Sequence, residues 1–472
     1  MITTMRKTFR QTLALAVNEA REGQKVIVSR TIPISNMTPL HFYAAAEDLY
    51  AGERTFWMSP DSEGAMVGAG NEWIIETAEQ SSARFSEIET EWKRFKKYTD
   101  YPGSRDKPGP VLMGGFSFDP LKNENLRWKP YKEGRFVLPV FLGSWKKGRE
   151  PEVTISKVIL PEETAEEAEA DFIQKALYIK NLSQSKAEGA GTPAPFELNE
   201  HHTEEWLQSI SKATAAIRRG ELDKVVLARE VTLHSDEGFD RLSALHTLVS
   251  DQQSSFRFSF ENGSSSFIGA TPERLVKMKD QHVHSACMAG TIRRGSSKKE
   301  DQRLEQELLN DHKNLEEHAY VVKMIKGALE NYCSSLDCPD APGIYKTKNV
   351  QHLYTPINGR LKKESSLLEI VRRLHPTPAL GGLPQAEAVE MIRKIEPMDR
   401  GWYAAPVGWF DSKGNGEFAV AIRSGLVEDR TAVLYAGCGI VKDSDPELEY
   451  EETKIKLRPM LSALGGLKYD RI

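Results

Sequence analysis

The chain has 472 residues, of which 39% are hydrophobic and 28% are charged, and its net charge at pH 7 is -5. This composition is ordinary for a globular protein, and the acidic balance excludes the basic surface that nucleic-acid binding requires. No apolar run approaches the roughly 20 residues of a membrane span, and the N-terminal stretch LALAV is too short for a secretory signal. We therefore expect a cytoplasmic protein that binds neither nucleic acid nor a membrane.

Four cysteines are present, and only Cys333 and Cys338 lie close together in the sequence. Their spacing matches neither a CxxC redox pair nor a zinc-binding motif. Cys287 and Cys438 lie in apolar runs, which indicates reduced core residues and no structural metal.

Strand-like runs dominate the first part of the chain, and their apolar, β-branched and aromatic composition is typical of buried strands. They are KVIVSR (25–30), GAMVGAG (64–70), VLMGGFSF (111–118) and RFVLPVFLGSW (135–145). A charged helix is expected at 162–182, and the small, polar segment 183–195 indicates a linker or a long surface loop. We therefore predict an N-terminal part at 1–196 and a C-terminal part at 197–472.

The C-terminal part combines strand runs with isolated helices. Helical spacing of apolar residues predicts helices at 203–218, 299–332 and 385–396. Because few strands alternate regularly with helices, this pattern predicts an α+β fold rather than a doubly wound parallel sheet. The main strand runs are KVVLAREVTL (224–233), FRFSFE (256–261), HVHSACMAGT (282–291), YAAPVGWF (403–410), GEFAVAIRSGLV (416–427) and TAVLYAGCGIV (431–441).

An acidic segment, SDPELEYEETKIKL (444–457), predicts a helix near the end of the chain. We expect Ser444 to cap it, and a proline follows in the first turn. Acids near the N-terminus and lysines after them make a stable, solvated helix, which is the ordinary interpretation of such a charge run. Glu449, Glu452 and Lys456, however, fall at i, i+3 and i+7 and line one face, so the same helix could contribute to a metal site.

Two charged residues adjoin otherwise apolar strands. Lys224 opens the strand KVVLA, where desolvation favours a neutral amine that could act as a base. A lysine whose ammonium group simply reaches water explains the same pattern. Glu273 follows Pro272 in the turn GATPERL, and the fixed backbone suits a side chain that must point in one direction. An ordinary turn acid paired with Arg274 is the alternative.

The long predicted helix carries Glu317 in LEEHAYVV, and the strand AVAIRSG carries Arg423. The apolar stripe of this helix places Leu315 and Val322 inward, with Glu317 and His318 at its edge. Carboxylate oxygens suit Mg²⁺, which keeps waters and takes further ligands from an anionic substrate. Arginine and lysine suit the carboxylates of such a substrate. The residues alone therefore indicate a Mg²⁺ enzyme that acts on a small acid.

Ten longer motifs follow one another through the C-terminal part: KVVLAR (224–229), GATPERL (269–275), AGTIRRG (289–295), LEEHAYVV (315–322), QHLYTPINGRL (351–361), LHPTPALGGLP (374–384), RGWYAAPVGW (400–409), AVAIRSG (419–425), AGCGIV (436–441) and SDPELEYEETKIKL (444–457). In this order they resemble the chorismate-utilising enzymes, a family that includes anthranilate, aminodeoxychorismate, salicylate and isochorismate synthases. Each motif alone is weak, but the set is highly specific. The first part of the chain resembles the family more loosely, at GGFSFDP (114–120) and FVLPVF (136–141).

The resemblance implies a single large α+β domain like anthranilate synthase component I, with two packed antiparallel sheets and helices on the outside. It implies Lys224 and Glu273 as catalytic residues. It also implies Mg²⁺ as the cofactor, held by Glu317 and Glu452, with Glu449 acting through water. The substrate-binding positions that it implies are Gly290, Thr291, His352, Tyr403, Arg423, Gly437, Gly439 and Lys456.

Two positions bear on the branch of the family. Members that add ammonia have glutamine where Lys224 stands, so Lys224 suits water as the nucleophile. Aminodeoxychorismate synthases carry a nucleophilic lysine in PIKGT, where this chain has Ala289 in CMAGT. Some relatives have an acid where Asn314 stands, a difference that concerns the outer shell of the metal site. The long N-terminal part resembles isochorismate synthases of menaquinone biosynthesis more than the shorter siderophore enzymes.

The resemblance therefore implies isomerisation of chorismate to isochorismate. Lys224 removes a proton from the water that attacks C2, and Glu273 protonates the departing C4 hydroxyl from the opposite side. Mg²⁺ binds the ring carboxylate. A salicylate synthase, an isochorismate synthase of a siderophore pathway and an inactive binding module with the same fold are the alternatives. Chorismate is the expected partner, and no obligatory protein partner is implied.

Overall fold

A computed structural model describes residues 2–100, 109–122, 126–182, 191, 194–346 and 350–465. Most of the predicted linker at 183–195 lies outside these described residues. None of the helices in the described ranges is long and apolar enough to cross a membrane.

Helices and strands follow each other irregularly along the chain, as expected for an α+β fold. The helices are α1 (Ile2–Arg21), α2 (Pro39–Ala45), α3 (Glu47–Tyr50), α4 (Ala83–Lys93), α5 (Ala165–Leu182), α6 (Thr203–Arg218), α7 (Arg241–Asp251), α8 (Lys298–Leu309), α9 (His312–Glu330), α10 (Leu367–Leu374), α11 (Gln385–Ile395) and α12 (Pro446–Gly465). The strands are β1 (Val26–Pro33), β2 (Arg54–Met58), β3 (Gly64–Thr77), β4 (Lys96–Asp100), β5 (Val111–Phe116), β6 (Gly134–Lys146), β7 (Glu152–Ile159), β8 (Glu197–Glu200), β9 (Lys224–His234), β10 (Phe256–Asn262), β11 (Ser265–Thr271), β12 (Arg274–Lys279), β13 (His282–Arg293), β14 (Cys333–Asp337), β15 (Gly343–Lys346), β16 (Val350–Leu361), β17 (Gly382–Leu383), β18 (Pro406–Asp411), β19 (Gly416–Val420), β20 (Ser424–Glu428) and β21 (Thr431–Ile440).

The strands form one hydrogen-bonded system that divides at β6 into two sheets. The first sheet runs β4-β1-β7-β6-β3-β2-β10-β11-β20-β21-β9, and both β8 and β17 pair with the outer edge of β9. The second sheet runs β6-β5-β18-β19-β12-β13-β16, and both β14 and β15 pair with β16. Among the described strands only the β1–β4 pair is parallel. The predicted fold, one large domain with two antiparallel sheets, is confirmed.

Two apolar layers hold this architecture. The first lies between the sheets and includes the fully buried Phe136 of β6, Phe267 of β11 and Phe418 of β19. The second covers the other face of the first sheet, where Leu13 of α1 and Leu457 of α12 pack with residues of α5 and α7. Burying one such side chain contributes roughly 1.5–3 kcal/mol, so each layer is a major source of stability. The second layer places α12 against β21.

Two predicted elements differ from the structure. The helix expected at 299–332 is wrong as a single element, because α8 and α9 are separated around Asp311. The Asp311 carboxylate accepts a hydrogen bond from the Asn314 amide at 3.0 Å and so begins a new helix. The strand expected at 416–427 is interrupted after β19, where Arg423 has a φ of 52°. A left-handed backbone cannot continue a strand, so β20 starts in a new direction. The helix expected at 203–218 coincides with α6 and is confirmed.

Among the described residues, part of the outer edge of β9, between β17 and β8, has no neighbouring strand. Two side chains satisfy the backbone there: Arg400 donates to the Val226 carbonyl at 2.8 Å, and Glu396 accepts from the Ala228 amide at 2.7 Å. Arg400 also donates to Glu396 at 2.9 Å and to the Leu380 carbonyl at 3.0 Å. The two side chains are 3% and 1% exposed, so this ion pair is buried and fully hydrogen-bonded within the sheet edge.

Replacing Arg400 by alanine should destabilise the protein by about 3–5 kcal/mol, because Glu396 would remain as a buried charge without a partner. Urea denaturation gives the change in the free energy of unfolding. Lys394→Ala is the matched control, since Lys394 forms an exposed pair with Glu390 in the same region of the chain. That surface pair should contribute about 0.5 kcal/mol or less. Equal losses in the free energy of unfolding for the two variants would show that the buried ion pair contributes no more than the exposed one.

Candidate active site

Lys224 lies where β9, β21 and α9 meet. Its Nζ donates to Glu317 Oε1 at 2.5 Å, and its side chain is 15% exposed. The aliphatic part of the side chain crosses Gly439, where an added Cβ would lie only 2.9 Å from Lys224 Cε. Glycine at this position therefore leaves room for the lysine to reach Glu317 on the neighbouring helix.

Lys456 makes a similar pair of contacts, with a glycine of β21 and with a glutamate. The Lys456 Nζ donates to the Gly437 carbonyl at 2.8 Å and pairs with Glu452 at 2.5 Å. Gly437 and Gly439 are two residues apart on β21, a separation of roughly 7 Å along a strand. The structure thus brings the predicted metal ligands Glu317 and Glu452 to the same strand from two different helices, each beside a lysine.

Glu273 follows β11, and its amide donates to the Thr271 hydroxyl at 3.2 Å. Burial raises the pKa of Glu273 to about 7, although the nearby positive charges of Lys224 and Arg423 act in the opposite direction. A carboxyl group with this pKa is substantially protonated at neutral pH and can donate a proton. The structure therefore places a potential acid within electrostatic range of the lysine that was predicted to be the base.

Arg423 lies in the break between β19 and β20, in the left-handed conformation noted above. Burial lowers the pKa of Arg423, while Tyr403, Glu452 and Glu273 favour its charged form. Arg423 is therefore within electrostatic range of both carboxylates. Tyr403 stacks on Tyr435 with ring centroids 5.2 Å apart, and burial raises the pKa of Tyr403 to about 12, so its hydroxyl is neutral. A strained backbone at a charged, half-buried residue is typical of functional sites.

A bulge interrupts β13 at Gly290, which has a φ of 80°. The hydroxyl of Thr291 and the Nδ1 of His352, on the paired strand β16, are 2.9 Å apart. A Cβ at Gly290 would lie 3.1 Å from the Asn314 side chain, one turn before Glu317 on α9. The predicted binding residues Gly290, Thr291 and His352 therefore form one group against the helix that carries Glu317.

The position of α9 depends on His318, which is 2% exposed. His318 Nδ1 donates to the Ala289 carbonyl at 3.1 Å, and the Thr355 hydroxyl donates to His318 Nε2 at 2.8 Å. The prediction that His318 lies at the edge of the apolar stripe is wrong, because the buried face of α9 is His318, Val321, Ile325 and Leu329. This i, i+3, i+7, i+11 spacing was the available signal. His318 ties the helix of Glu317 to β13 and β16.

The N-terminus of α12 also differs from its prediction. Asp445, not Ser444, caps the helix, since its Oδ1 accepts from the amides of Glu447 at 3.0 Å and Leu448 at 3.1 Å. The Ser444 hydroxyl instead donates to Glu449 Oε1 at 2.8 Å. Glu449 is therefore held in place at the start of the helix that carries Glu452.

A cavity of about 670 Å³ adjoins this region, a volume in the range usual for small-molecule sites. Glu273, Ala289 and His352 line it, and so do Trp57 and Trp145. The cavity thus connects the potential acid with the group around the β13 bulge.

The residues fit a hard divalent cation. Glu317 and Glu452 supply only oxygen donors, their side chains are 43% and 49% exposed, and a lysine ammonium already lies beside each. No three histidine, cysteine, aspartate or glutamate side chains in the described ranges gather into one metal site. A cation held by two carboxylates would therefore complete its coordination with water and substrate oxygens, as Mg²⁺ does.

Comparison with known proteins agrees with this geometry. Residues 11–465 match the family model for chorismate-binding enzymes. The chain is 44% identical to isochorismate synthase MenF of Bacillus subtilis (strain 168) over 472 residues, which covers 99% of each chain. It is 34% identical to the salicylate biosynthesis isochorismate synthase of Pseudomonas aeruginosa, covering 97% of this chain and 95% of that protein. The chain therefore belongs to the family of chorismate-binding enzymes.

Solved structures show the same fold. The menaquinone-specific isochorismate synthase MenF of Escherichia coli superposes with a TM-score of 0.76 over 95% of this chain and 100% of that chain, at 24% identity. Anthranilate synthase component I of Streptococcus pneumoniae superposes with a TM-score of 0.68 over 84% of this chain and 92% of that chain, at 19% identity. The overall fold is thus shared with solved structures.

Glu273→Gln should stabilise the protein relative to wild type, and increasingly so as the pH rises from about 5 to about 8. The folded state raises the pKa of Glu273 from the ordinary 4.5 to about 7, so the wild type loses stability as the pH rises through that window. Thermal midpoints at the two pH values measure the difference. Glu316→Gln, at an exposed position of α9, is the control and should show no such trend. A difference independent of pH for Glu273→Gln would contradict the assignment.

Proposed function

We propose that the protein is a Mg²⁺-dependent isochorismate synthase that converts chorismate to isochorismate in the cytoplasm, for menaquinone biosynthesis. The observation that carries the proposal is that Lys224 and Glu273 are neighbours: an amine at the rim of a buried strand lies within electrostatic range of a carboxyl whose pKa is raised to about 7. Full-length similarity to isochorismate synthase MenF supports the same reaction. Exchange of a ring hydroxyl needs a base that takes a proton from the entering water and an acid that protonates the leaving hydroxyl.

Lys224 and Glu273 divide this work. Lys224 accepts a proton from the water that attacks C2 of chorismate. Glu273, protonated because its carboxyl is buried, gives its proton to the oxygen that leaves C4. General acid–base catalysis of this kind typically contributes about 10²–10⁴-fold to the rate, so neither group is dispensable.

The remaining polar groups hold the substrate. Chorismate carries two carboxylates, and the cationic side chains of Arg423 and Lys456 are suited to pair with them. Tyr403, neutral at physiological pH, contributes a hydroxyl and a rigid ring. The backbone around Gly437 and Gly439 allows close approach, because neither residue has a side chain of its own. The group of Gly290, Thr291 and His352 borders the cavity near Glu273 and completes the binding site.

Glu317 and Glu452 are the proposed Mg²⁺ ligands, with Glu449 acting through a water molecule. When bound, Mg²⁺ would neutralise the ring carboxylate of the substrate and fix its orientation. The lysine beside Glu317 then has a second role. Lys224 would leave its ion pair with Glu317 once that carboxylate held the cation, and its nitrogen would then be available to the attacking water.

Incubation of the protein with chorismate and Mg²⁺ at neutral pH should yield isochorismate without stoichiometric pyruvate. Chromatography of all products, with a coupled lactate dehydrogenase assay for pyruvate, measures both outcomes. The reaction exchanges similar hydroxyl groups, so chorismate should also form when isochorismate is supplied. Stoichiometric pyruvate would identify a salicylate synthase instead. Lys224→Gln is the control and should reduce turnover by about 10²–10⁴-fold while leaving the fold intact.

Glu452→Gln should weaken Mg²⁺ binding and lower the Mg²⁺-dependent rate, because an amide replaces a charged ligand of the cation. Titration calorimetry with Mg²⁺ measures binding, and the rate is measured over a Mg²⁺ series. The control is Glu447→Gln, an exposed position on the same helix, which should leave both measurements unchanged. Full wild-type activity in excess EDTA would disprove the metal requirement.

A further inference from the structure

The two acids of α12 that the proposed function assigns to Mg²⁺ lie before the buried part of that helix. In the described part of the chain, the buried residues of α12 are Thr453, Leu457, Met460, Leu461, Ala463 and Leu464. Glu449 and Glu452 precede all of them, so within the described residues 446–452 no buried apolar side chain anchors the helix. Thr453, the first buried residue, is polar and fully buried, and its hydroxyl therefore needs a partner.

Arg229 of β9 is the partner of this hydroxyl. The Arg229 Nε donates to the Thr453 hydroxyl at 2.7 Å, and that hydroxyl donates to the Tyr450 carbonyl at 2.7 Å. The guanidinium carbon of Arg229 lies 4.5 Å from the centre of the Tyr450 ring, which is a cation–π contact. Arg229 thus contacts the two residues that directly follow Glu449 and Glu452 in the chain.

A carboxylate from a second strand joins the same contacts. Arg229 Nη1 lies 3.5 Å from Glu200 Oε2, and the Tyr450 hydroxyl donates a hydrogen bond to the same oxygen. Glu200 belongs to β8, which pairs with β9. The start of α12 is therefore joined to two strands through polar side chains.

Burial of this arginine is unfavourable in itself. Arg229 is 3% exposed, its Nη2 has no hydrogen-bond partner among the described residues, and burial lowers its pKa although Glu200 and Tyr450 favour the charged form. An apolar side chain could fill the same space without removing a charge from water. A hydrogen bond, unlike an apolar contact, fixes distance and direction, so Arg229 is suited to set the position of the helix and not merely to cover it.

We propose that Arg229 is a positioning residue of the metal site, which fixes the start of α12 against β9 and so holds Glu449 and Glu452 in the arrangement that binds the cation. Arg229 acts on these acids through Tyr450 and Thr453. Because β9 begins at Lys224, the same contacts set the position of the acids relative to the proposed base. This inference rests on the proposed function, of which Mg²⁺ is a part.

Thr453→Val tests the contact, because it removes the hydroxyl at nearly constant volume and leaves Arg229 in place. Fewer molecules then hold the start of α12 in the binding arrangement, so the apparent Kd for Mg²⁺ should rise about threefold to tenfold. Titration calorimetry with Mg²⁺ alone measures this Kd. The Mg²⁺ concentration that gives half of the maximal rate should rise as well, whereas kcat at saturating Mg²⁺ should stay within about twofold of wild type, because the bound cation restores the arrangement.

Two further variants define the contact. Thr453→Ser keeps the hydroxyl, and its Kd for Mg²⁺ should stay within about twofold of the wild-type value. Arg229→Lys keeps the charge but loses the planar guanidinium that bonds Thr453 and stacks on Tyr450, so it should raise the Kd as Thr453→Val does.

Thr31→Val is the matched control. Thr31 of β1 is 3% exposed, and its hydroxyl lies 2.9 Å from the hydroxyl of Thr154 on β7. The same substitution thus breaks a buried hydrogen bond near the opposite end of the first sheet. It should lower the thermal midpoint, as Thr453→Val should, and leave the Kd for Mg²⁺ unchanged.

A wild-type Kd for Mg²⁺ in Thr453→Val, or an equal rise of the Kd in Thr31→Val, would overturn the inference alone. A loss of kcat in Thr453→Val that saturating Mg²⁺ does not restore would also overturn it. A wild-type protein that neither binds Mg²⁺ nor needs it for turnover would remove the cofactor from the proposed function and overturn this inference with it.

Discussion

The buried ion pair of Glu396 and Arg400 completes β9 where no described strand adjoins it. A sheet edge inside a protein must satisfy its backbone groups, and here one carboxylate and one guanidinium do what a strand would do. Removing two charges from water is unfavourable, and only a full set of hydrogen bonds compensates for it. Because β9 begins at Lys224 and pairs with the glycines of β21, the position of the candidate active site follows from this pair.

The candidate site is balanced in charge before any ligand binds. Carboxylates come from the helices α9 and α12, and cations come from the strands and from the next turn of α12. Glu317 and Glu452 each have a lysine beside them, so these two carboxylates are paired before a ligand binds. A substrate with two carboxylates and a divalent cation add no net charge together, and they can exchange partners with the resident pairs. The left-handed backbone of Arg423 shows that the local chain accepts strain to place one of these cations.

Much of the fold could be predicted from the sequence, and the reasons for the failures are specific. Apolar periodicity located α6 and the strands of both sheets, and the family resemblance supplied their packing in two antiparallel sheets. The periodicity did not show that Asp311 caps a new helix, because a polar residue inside a periodic run looks like a solvated position. The sequence predicts His318 at the edge of the apolar stripe of its helix. Its ring is nevertheless buried, and it makes two hydrogen bonds that only the tertiary structure reveals.

The residues proposed for the site came from motif resemblance, and the structure brings them together around β9, β21 and the bulge of β13. Their chemical roles, and the division of the chain at residue 196, stay predictions. The gap beside β9 could not have been anticipated. It depends on which strands lie beside each other, which is a property of the assembled sheets and not of any local pattern.

The branch at β6 also governs how the chain can be made. In the second sheet, Val111 of β5 pairs with Asp411 of β18, 300 residues later. At roughly 5–20 residues per second, translation separates these two strands by about 15–60 s. During that interval the edge of β5 has no partner, and an unpaired apolar edge invites association with other chains. The second sheet therefore cannot close before β18 emerges, and the newly made N-terminal half keeps an unprotected edge until then.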